Sequence, residues 1–382
     1  MKTIISSGIQ HHLARFIIPL IVIAFIIGVA GCGPTPTEIR DWYDLNAVRE
    51  DTRGSYILMN NLDSTTAGYI ELAGPTANEG KGWQPIAVNN TFIGSFDGQG
   101  YEIGNLFINR PDESGVGLFS VVETGGVIEN VHLVNGDITG YEAVASLVGH
   151  NRGAVRNSYA HGNVAGDLDV GSLVGVNGGT VNNSYSGGSV TGGDSIGGLV
   201  GKNEGTVSGS YSIGIVSGSD FVGGLVGKNN GTVSNSYSAS TVDGNDLVGN
   251  LVGVNGGTVS NSYAGGTVGG SSFVGGLVGR NEGVVSKCYS AGNTTGDEHI
   301  GGLVGQNLYG VVSNSFWDTQ TSGQATSDGG TGKTTEEMQD IATFTGAGWN
   351  ITAVDPGETL PDCTWNIVDT ATYPFLNRQS VA

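Results

Sequence analysis

Between residues 116 and 318 the apolar positions recur at an interval far longer than any helix or strand period. Leu-Val-Gly begins at Leu147, Leu173, Leu199, Leu225, Leu251, Leu277 and Leu303, in equal steps of 26 along the chain without a slip. A looser copy precedes these at Val116-Gly117-Leu118-Phe119. Tyr follows at 159, 185, 211, 237, 263 and 289, and Phe316 takes the place one residue late because Leu308-Tyr309 lengthens a turn. Inside one unit there is no 3.6-residue stripe, which sets aside leucine-rich repeats with their helical half. Short β-prone stretches stand there instead, such as Phe221 to Gly227, Thr232 to Ser238 and Thr241 to Val242, separated by Asn-Asn-Gly and Asp-Gly turns. One unit cannot bury a core. Stacked in register, the units place each Leu, Val and Tyr above its own kind at about 4.8 Å. The pattern therefore predicts an all-β parallel β-helix, a β-solenoid with one coil per repeat, right-handed by the rule for parallel crossovers.

Invariance and variability assign the faces. The residue after Leu-Val-Gly varies (His150, Val176, Lys202, Lys228, Val254, Arg280, Gln306), so it points outward. The next is always Asn: Asn151, Asn177, Asn203, Asn229, Asn255, Asn281 and Asn307. An inward Asn can bond its counterparts above and below as a structural ladder and satisfy turn backbone that water cannot reach. A plain Asn-x-Gly turn would leave much the same pattern. Cys288 stands where other units carry Ser and reads as a small buried residue; with Cys363 it follows no metal-ligand spacing.

These residues resemble the GLUG-motif proteins. The motif appears as Gly223-Gly224-Leu225-Val226-Gly227, an Asn-x-Gly turn, and Asn235-Ser236-Tyr237, and the resemblance covers about residues 116–318. Phe96-Asp97-Gly98-Gln99-Gly100-Tyr101 with Asn105-Leu106 resembles the family's leading segment, and Ser315-Phe316-Trp317-Asp318 its closing one. The resemblance implies a bacterial or archaeal surface protein, adhesin-like or akin to the non-catalytic part of some immunoglobulin A proteases. It carries over no catalytic residue.

A solenoid must cover its open sheet edges. Trp42, Leu45 and Val48 fit a short amphipathic helix over the first coil. Tyr56 to Met59 and Trp83 to Ile86 read as irregular early strands. At the far end Thr334-Thr335-Glu336-Glu337 is a capping box opening a helix with Met338, Ile341 and Phe344 on one side. Trp365-Asn366-Ile367 and Tyr373-Pro374-Phe375-Leu376 read as closing strands.

The N-terminus reads as an export signal. Lys2 and Arg15 precede an apolar run, Phe16 to Val29, that is short for a spanning helix and is interrupted by Pro19. Val29-Ala30-Gly31-Cys32 resembles the lipobox of bacterial lipoproteins, which implies diacylglycerol on the Cys32 sulfur and cleavage before it. An uncleaved anchor, or ordinary cleavage nearby, is the alternative. The expected divisions are a signal peptide (1–31), a lipidated tether (32–40), an N-terminal cap with irregular first coils (41–115), the solenoid (116–318) and a C-terminal cap (319–382). Beyond residue 31 there are 13 basic and 35 acidic residues, a net −22. That charge repels nucleic acid and anionic membrane surfaces and suits cations or cationic partners.

No catalytic constellation stands out. His-Glu-x-x-His, a nucleophile elbow and a phosphate loop are all missing from the sequence. His150 and His161 share a coil, with His132 in the coil before. Asp137, Glu142, Arg152 and Arg156 come nearest to the charged cluster that a polysaccharide lyase or hydrolase would need. Asp194, Asp220 and Asp246 follow one another at exactly one repeat, and Glu298 continues the row after Ser272. Stacked carboxylates about 4.8 Å apart repel by about 0.9 kcal/mol even in water. A bound Ca²⁺ would turn that cost into a site, whereas a solvated turn would favour Asp with no ion. The expected function is a lipid-anchored surface protein, exported and not an enzyme, that binds or scaffolds through a repetitive face, its partner an extracellular glycan or protein. The alternatives are a polysaccharide-active β-helix enzyme and an ice-binding solenoid, although the matching outward positions Ser189, Ile215, Thr241 and Thr267 form an irregular array.

Overall fold

The computed structural model describes residues 35–379. Cys32, its lipidation and the signal segment lie outside the described residues. The chain is an all-β solenoid of about eight stacked parallel coils, each one sequence repeat long, with few and short helices.

Each regular coil passes through three faces. In the coil that opens at Thr180 the first strand is Thr180–Asn182, with Val181 inward. Its counterparts form an 11-stranded sheet, here called the Thr-Val-Ser sheet. The next two strands, Tyr185–Thr191 and Asp194–Gly197, belong to a 20-stranded tyrosine sheet. The last, Val200–Asn203, lies in an eight-stranded asparagine sheet with one strand per coil. Register is the sequence period itself: Val181 pairs Val207, Tyr185 pairs Tyr211, and Asn177 pairs Asn203. Insertions sit at corners. Tyr309 protrudes at the turn that makes the last step one residue longer, so that Val284 pairs Val311. A bulge between His161 and Gly162 absorbs the matching shift against the strand of His132.

The two ends are built differently. At the N-terminus Asp41 caps the helix Trp42–Ala47 by accepting from the Asp44 N–H at 2.8 Å. Trp42, Leu45 and Val48 are fully buried in the same apolar core that fills the coils. Two expectations are corrected. Residues Thr37–Ile39, assigned to the tether, form a strand that pairs in parallel with Ser55–Leu58 and joins the Thr-Val-Ser sheet. Trp83 to Ile86 is no strand: Ile86 makes a single bridge to Phe119, and the buried Trp83 indole donates to the Leu118 carbonyl at 3.2 Å. The early segment is thus woven into the sheets, and residue 116 marks no architectural boundary.

At the C-terminus the capping box is present, Thr334 and Glu337 satisfying each other's backbone. It opens a four-residue helix, Thr335–Met338, and Asp340 caps a second, Ile341–Gly346. Three strands follow: Ile351–Ala353, Trp365–Ile367 and Phe375–Leu376. Their apolar residues do not join the solenoid core. Met338, Phe344, Trp349, Trp365, Ile367 and Leu376 make a second core against Tyr289 and Phe316 on the outside of the tyrosine sheet. The helices and closing strands of the C-terminal segment therefore lie along the side of the rod, while residues 319–333 do cover the last coil: Thr331–Lys333 pairs with Phe316–Asp318, and the Ser327 hydroxyl accepts from the Leu303 and Val304 N–H groups.

Candidate functional site: an aromatic stack on the side of the solenoid

The feature with most chemistry is built from the triplet Asn-Ser-Tyr. Its Asn takes the left-handed conformation that turns the corner, with φ near +50° at Asn157, Asn183, Asn235 and Asn261. The Ser points inward: Ser184 Oγ bonds the Asn182 carbonyl at 2.9 Å and accepts from the Ser158 N–H at 3.2 Å. Cys288 occupies this row, fully buried and free, its thiol on the Ser286 carbonyl and its pKa pushed up by burial to about 12. Strand alternation then turns the Tyr outward.

Register makes the tyrosines a stack. His132, Tyr159, Tyr185, Tyr211, Tyr237, Tyr263 and Tyr289 lie ring over ring, with centroids 4.2–4.9 Å apart and planes within 22°. Strand spacing dictates the distance. Inner rings spend both faces on their neighbours, so what they offer outward is edges and phenol hydroxyls.

The C-terminal segment covers the last rungs. Tyr289 is buried, and its hydroxyl donates to the Pro374 carbonyl at 2.6 Å. The Gln379 amide donates to the Tyr263 hydroxyl at 2.6 Å. Trp365 lies tilted at 6.1 Å from Tyr263 and 5.9 Å from Tyr289, and Tyr373 lies parallel to Tyr289. Burial pushes the phenol pKa of Tyr263 up and that of Tyr289 well up. The Arg378 guanidinium bonds the Asn183 side-chain oxygen. A cavity of about 440 Å³ opens between Tyr211 and Tyr237 on one wall and Leu376, Arg378 and Gln379 on the other.

Tyr159 and Tyr185 are half-buried with no described residue of the C-terminal segment over them, while Tyr211, also half-buried, stands at the edge of the covered stretch and lines that cavity. A hollow of about 460 Å³ lies over Tyr159, Tyr185, His161 and Ile213, with Glu102 at its far side. The Tyr159 hydroxyl donates to the Glu102 carboxylate at 3.4 Å. Tyr211 has its pKa raised to about 12, first by burial and then by Tyr237 and Tyr185. Ile213 and Ile215, outward on the strand of Tyr211, are 50% and 57% exposed.

The other residues singled out from sequence are placed as follows. Asn151, Asn177, Asn203, Asn229, Asn255 and Asn281 are fully buried, and each side-chain amide donates to the side-chain oxygen of the next, through to Asn307, at 2.7–2.8 Å. Five of them, Asn151 to Asn255, also reach a carbonyl of the coil above at 3.2–3.3 Å. None has a positive φ, so they are strand residues and not turn residues. Asp194 pairs Asp220, Asp220 pairs Asp246, and Ser272 pairs Glu298, so the acidic column is aligned. Burial, then Asp246 and Asp194, raise the Asp220 pKa. Among the described residues no three His, Cys, Asp or Glu side chains gather as a metal site.

The charged and histidine groups are dispersed. His150 stands in the asparagine sheet, while His132 and His161 stand in the tyrosine sheet. Asp137 and Glu142 are on the tyrosine sheet and Arg156 on the Thr-Val-Ser sheet. Arg152 pairs Glu123 at 3.0 Å. Burial lowers the His150 pKa, only Glu142 and Arg152 of this set act on it electrostatically, and no single site collects the whole set.

No family model matches the chain. Over 134 residues it is 37% identical to Halomucin of Haloquadratum walsbyi, a match spanning 33% of this chain and 1% of Halomucin. Over 134 residues it is 34% identical to a protein of Evansella cellulosilytica provisionally named a Gly-rich membrane protein, spanning 34% of this chain and 15% of that one. The chain thus spans a small fraction of the length of these curated relatives. Among solved structures, a Bacteroides ovatus protein provisionally named an immunoglobulin A1 protease aligns over 91% of this chain and 93% of its own, at 19% identity and a TM-score of 0.49. An IgA1 protease aligns over 76% of this chain and 21% of its own, at 15% identity and a TM-score of 0.39. Likeness at that distance carries no argument about activity.

Proposed function

We propose that this chain is an exported surface protein, anchored through lipid on Cys32, whose solenoid side binds or scaffolds and performs no catalysis. The observation that carries the reading is the uncovered half of the aromatic stack, a row of like groups at one spacing on an otherwise regular rod. A repeated surface suits a repeated ligand, because several weak contacts act together. The export signal and the lipobox-like Val29-Ala30-Gly31-Cys32 support a location outside the cell. The names of the two relatives, Halomucin and a Gly-rich membrane protein, agree with that. The GLUG-like repeats support an adhesin-like role. The partner is an extracellular glycan or protein.

The test compares cells bearing the intact protein with cells bearing a version cut to two repeats. Adhesion should fall with the truncation. Equal adhesion, together with glycan cleavage by the purified chain, would favour a polysaccharide-active enzyme. For the anchor, a Cys32→Ala chain should leave the membrane fraction; unchanged partitioning would sink that part.

A further inference from the structure

We propose that the open rungs Tyr159 and Tyr185, with Ile213 and Ile215 beside the bordering rung Tyr211, dock an extended peptide of the same chemistry as this chain's own residues 373–379: aromatic, amide-bearing, and neutral to basic. The inference rests on the binding role above and narrows the partner from glycan or protein to peptide.

The molecule displays the mode of recognition on its own covered rungs. There a phenol hydroxyl donates to a main-chain carbonyl, at Pro374, and another accepts from a side-chain amide, at Gln379. Tyr373 lies along the stack and Leu376 packs into the outer core. Such groups belong to a peptide. The open rungs continue that interface without a break: Tyr185, Tyr211 and Tyr237 pair in strict register, with rings 4.8 Å apart. Residues 373–379 lie along the stack, and the Arg378 guanidinium reaches Asn183 on the coil of Tyr185, whose ring lines the hollow over Tyr159. About three extended residues of a docked peptide, at roughly 3.3 Å each, would cross those rungs.

Three further observations select the occupant. A sugar ring needs a free aromatic face, and the rings from Tyr159 to Tyr263 have both faces stacked. The outward positions beside the covered rungs are small or polar, Ala239 with Thr241 and Gly265 with Thr267, and they leave room for the covering segment. Beside Tyr211 the same positions are Ile213 and Ile215, large apolar side chains left in water on a very acidic chain, the mark of an interaction patch. Glu102 at the far end of the hollow favours a basic residue there, as Asn183 takes Arg378 at the near end.

The experiment uses the full chain and a fluorescein-labelled peptide of residues 373–379, followed by fluorescence anisotropy. Saturable binding is expected. Ile213→Asp and Tyr185→Ser should each weaken it at least tenfold, while Tyr309→Ser, at an exposed turn elsewhere, should leave it within twofold. Ile213 is half exposed, so its variant tests the site without a folding defect, and thermal melts verify this. Absence of binding, or binding indifferent to Ile213→Asp, overturns the proposal. So does binding lost in Tyr263→Ser but kept in Ile213→Asp, which would mean exchange with the chain's own segment. Glycan binding abolished by Tyr185→Ser, without peptide binding, overturns the peptide assignment and leaves the binding role standing. Loss of the adhesion difference in the truncation test sinks the broader role instead.

Discussion

Two stretches of one aromatic stack share a ring spacing and meet different surroundings. From Tyr237 to Tyr289 the outer edge is roofed by a second apolar core that carries Trp349 and Trp365. At Tyr159 and Tyr185 the same edge faces water across a shallow hollow. The repeat makes the rungs alike; what lies beyond the repeat makes them different. The roof turns edges and hydroxyls into a dry interface, so the stack can be structural at one end and available at the other.

The largest test of that difference is truncation of one rung in each stretch. Tyr289→Ala removes a fully enclosed ring, its hydrogen bond to Pro374 and its contacts with four aromatic residues. It should cost about 3–5 kcal/mol and release the C-terminal segment. Tyr185→Ala removes a half-exposed ring and should cost about 1 kcal/mol. Denaturant titration followed by tryptophan fluorescence checks both, since Trp349 and Trp365 sit in the roof. Equal losses would mean that the roof adds nothing.

The inner face should be blind to the roof. Asn203 lies in the open half and Asn255 in the covered half, with matching partners above and below. Ala at either site leaves buried amide and carbonyl groups unpaired, at about 1–3 kcal/mol each. The two variants should agree within error in the same titration. A larger loss at Asn255 would show that the roof is coupled through the wall of the coil.

Much of the fold can be read in the sequence because period, register and burial are one fact in a solenoid. The seven Asn and the Ser row with Cys288 are placed by invariance alone, and the capping box at Thr334 by spacing. The covering of the stack is not readable. Its key bonds join residues 85 and 116 positions apart, and no periodicity links them. Residues Thr37–Ile39 read as tether because a three-residue strand carries no alternation to detect. The left-handed column Ala143, Asp169, Ser195, Phe221, Leu247, Phe273 and His299 is hidden by its variety of side chains. Its trace is the Gly of Leu-Val-Gly: a Cβ on Gly227 would lie 2.5 Å from the Ser195 carbonyl carbon, so only Gly lets the coils close up.

Alkaline pH should separate the two stretches by degree. Tyr263 and Tyr289 have phenol pKa values raised by burial, so the folded state holds their protons after the unfolded state has released its own near pH 10. The unfolded chain then binds fewer protons, and stability falls with rising pH. The stabilisation is complete below about pH 10 and is lost as pH climbs toward the folded values. Exposure of Trp349 and Trp365 should begin above pH 10, before the asparagine-laddered coils melt. Simultaneous loss of near-UV and far-UV dichroism would contradict this.

The smallest expected effect is at the leading edge of the roof. Gln379 donates one hydrogen bond, to Tyr263, from a half-buried position. Gln379→Ala leaves that hydroxyl beside the open cavity, where water can take the vacated place. The loss should therefore sit at the low end of a single neutral hydrogen bond, about 0.5 kcal/mol. Such a change scarcely moves global stability, but it should loosen the last residues locally. Limited proteolysis read by mass spectrometry is the sensitive measure, with cleavage after Arg378 several-fold faster in the variant. If the open rungs act as a continuation of this interface, the variant should bind added 373–379 peptide as the parent chain does, because Gln379 bonds Tyr263 and not the open rungs. Weaker peptide binding would place Gln379 inside the docking site and extend that site under the roof.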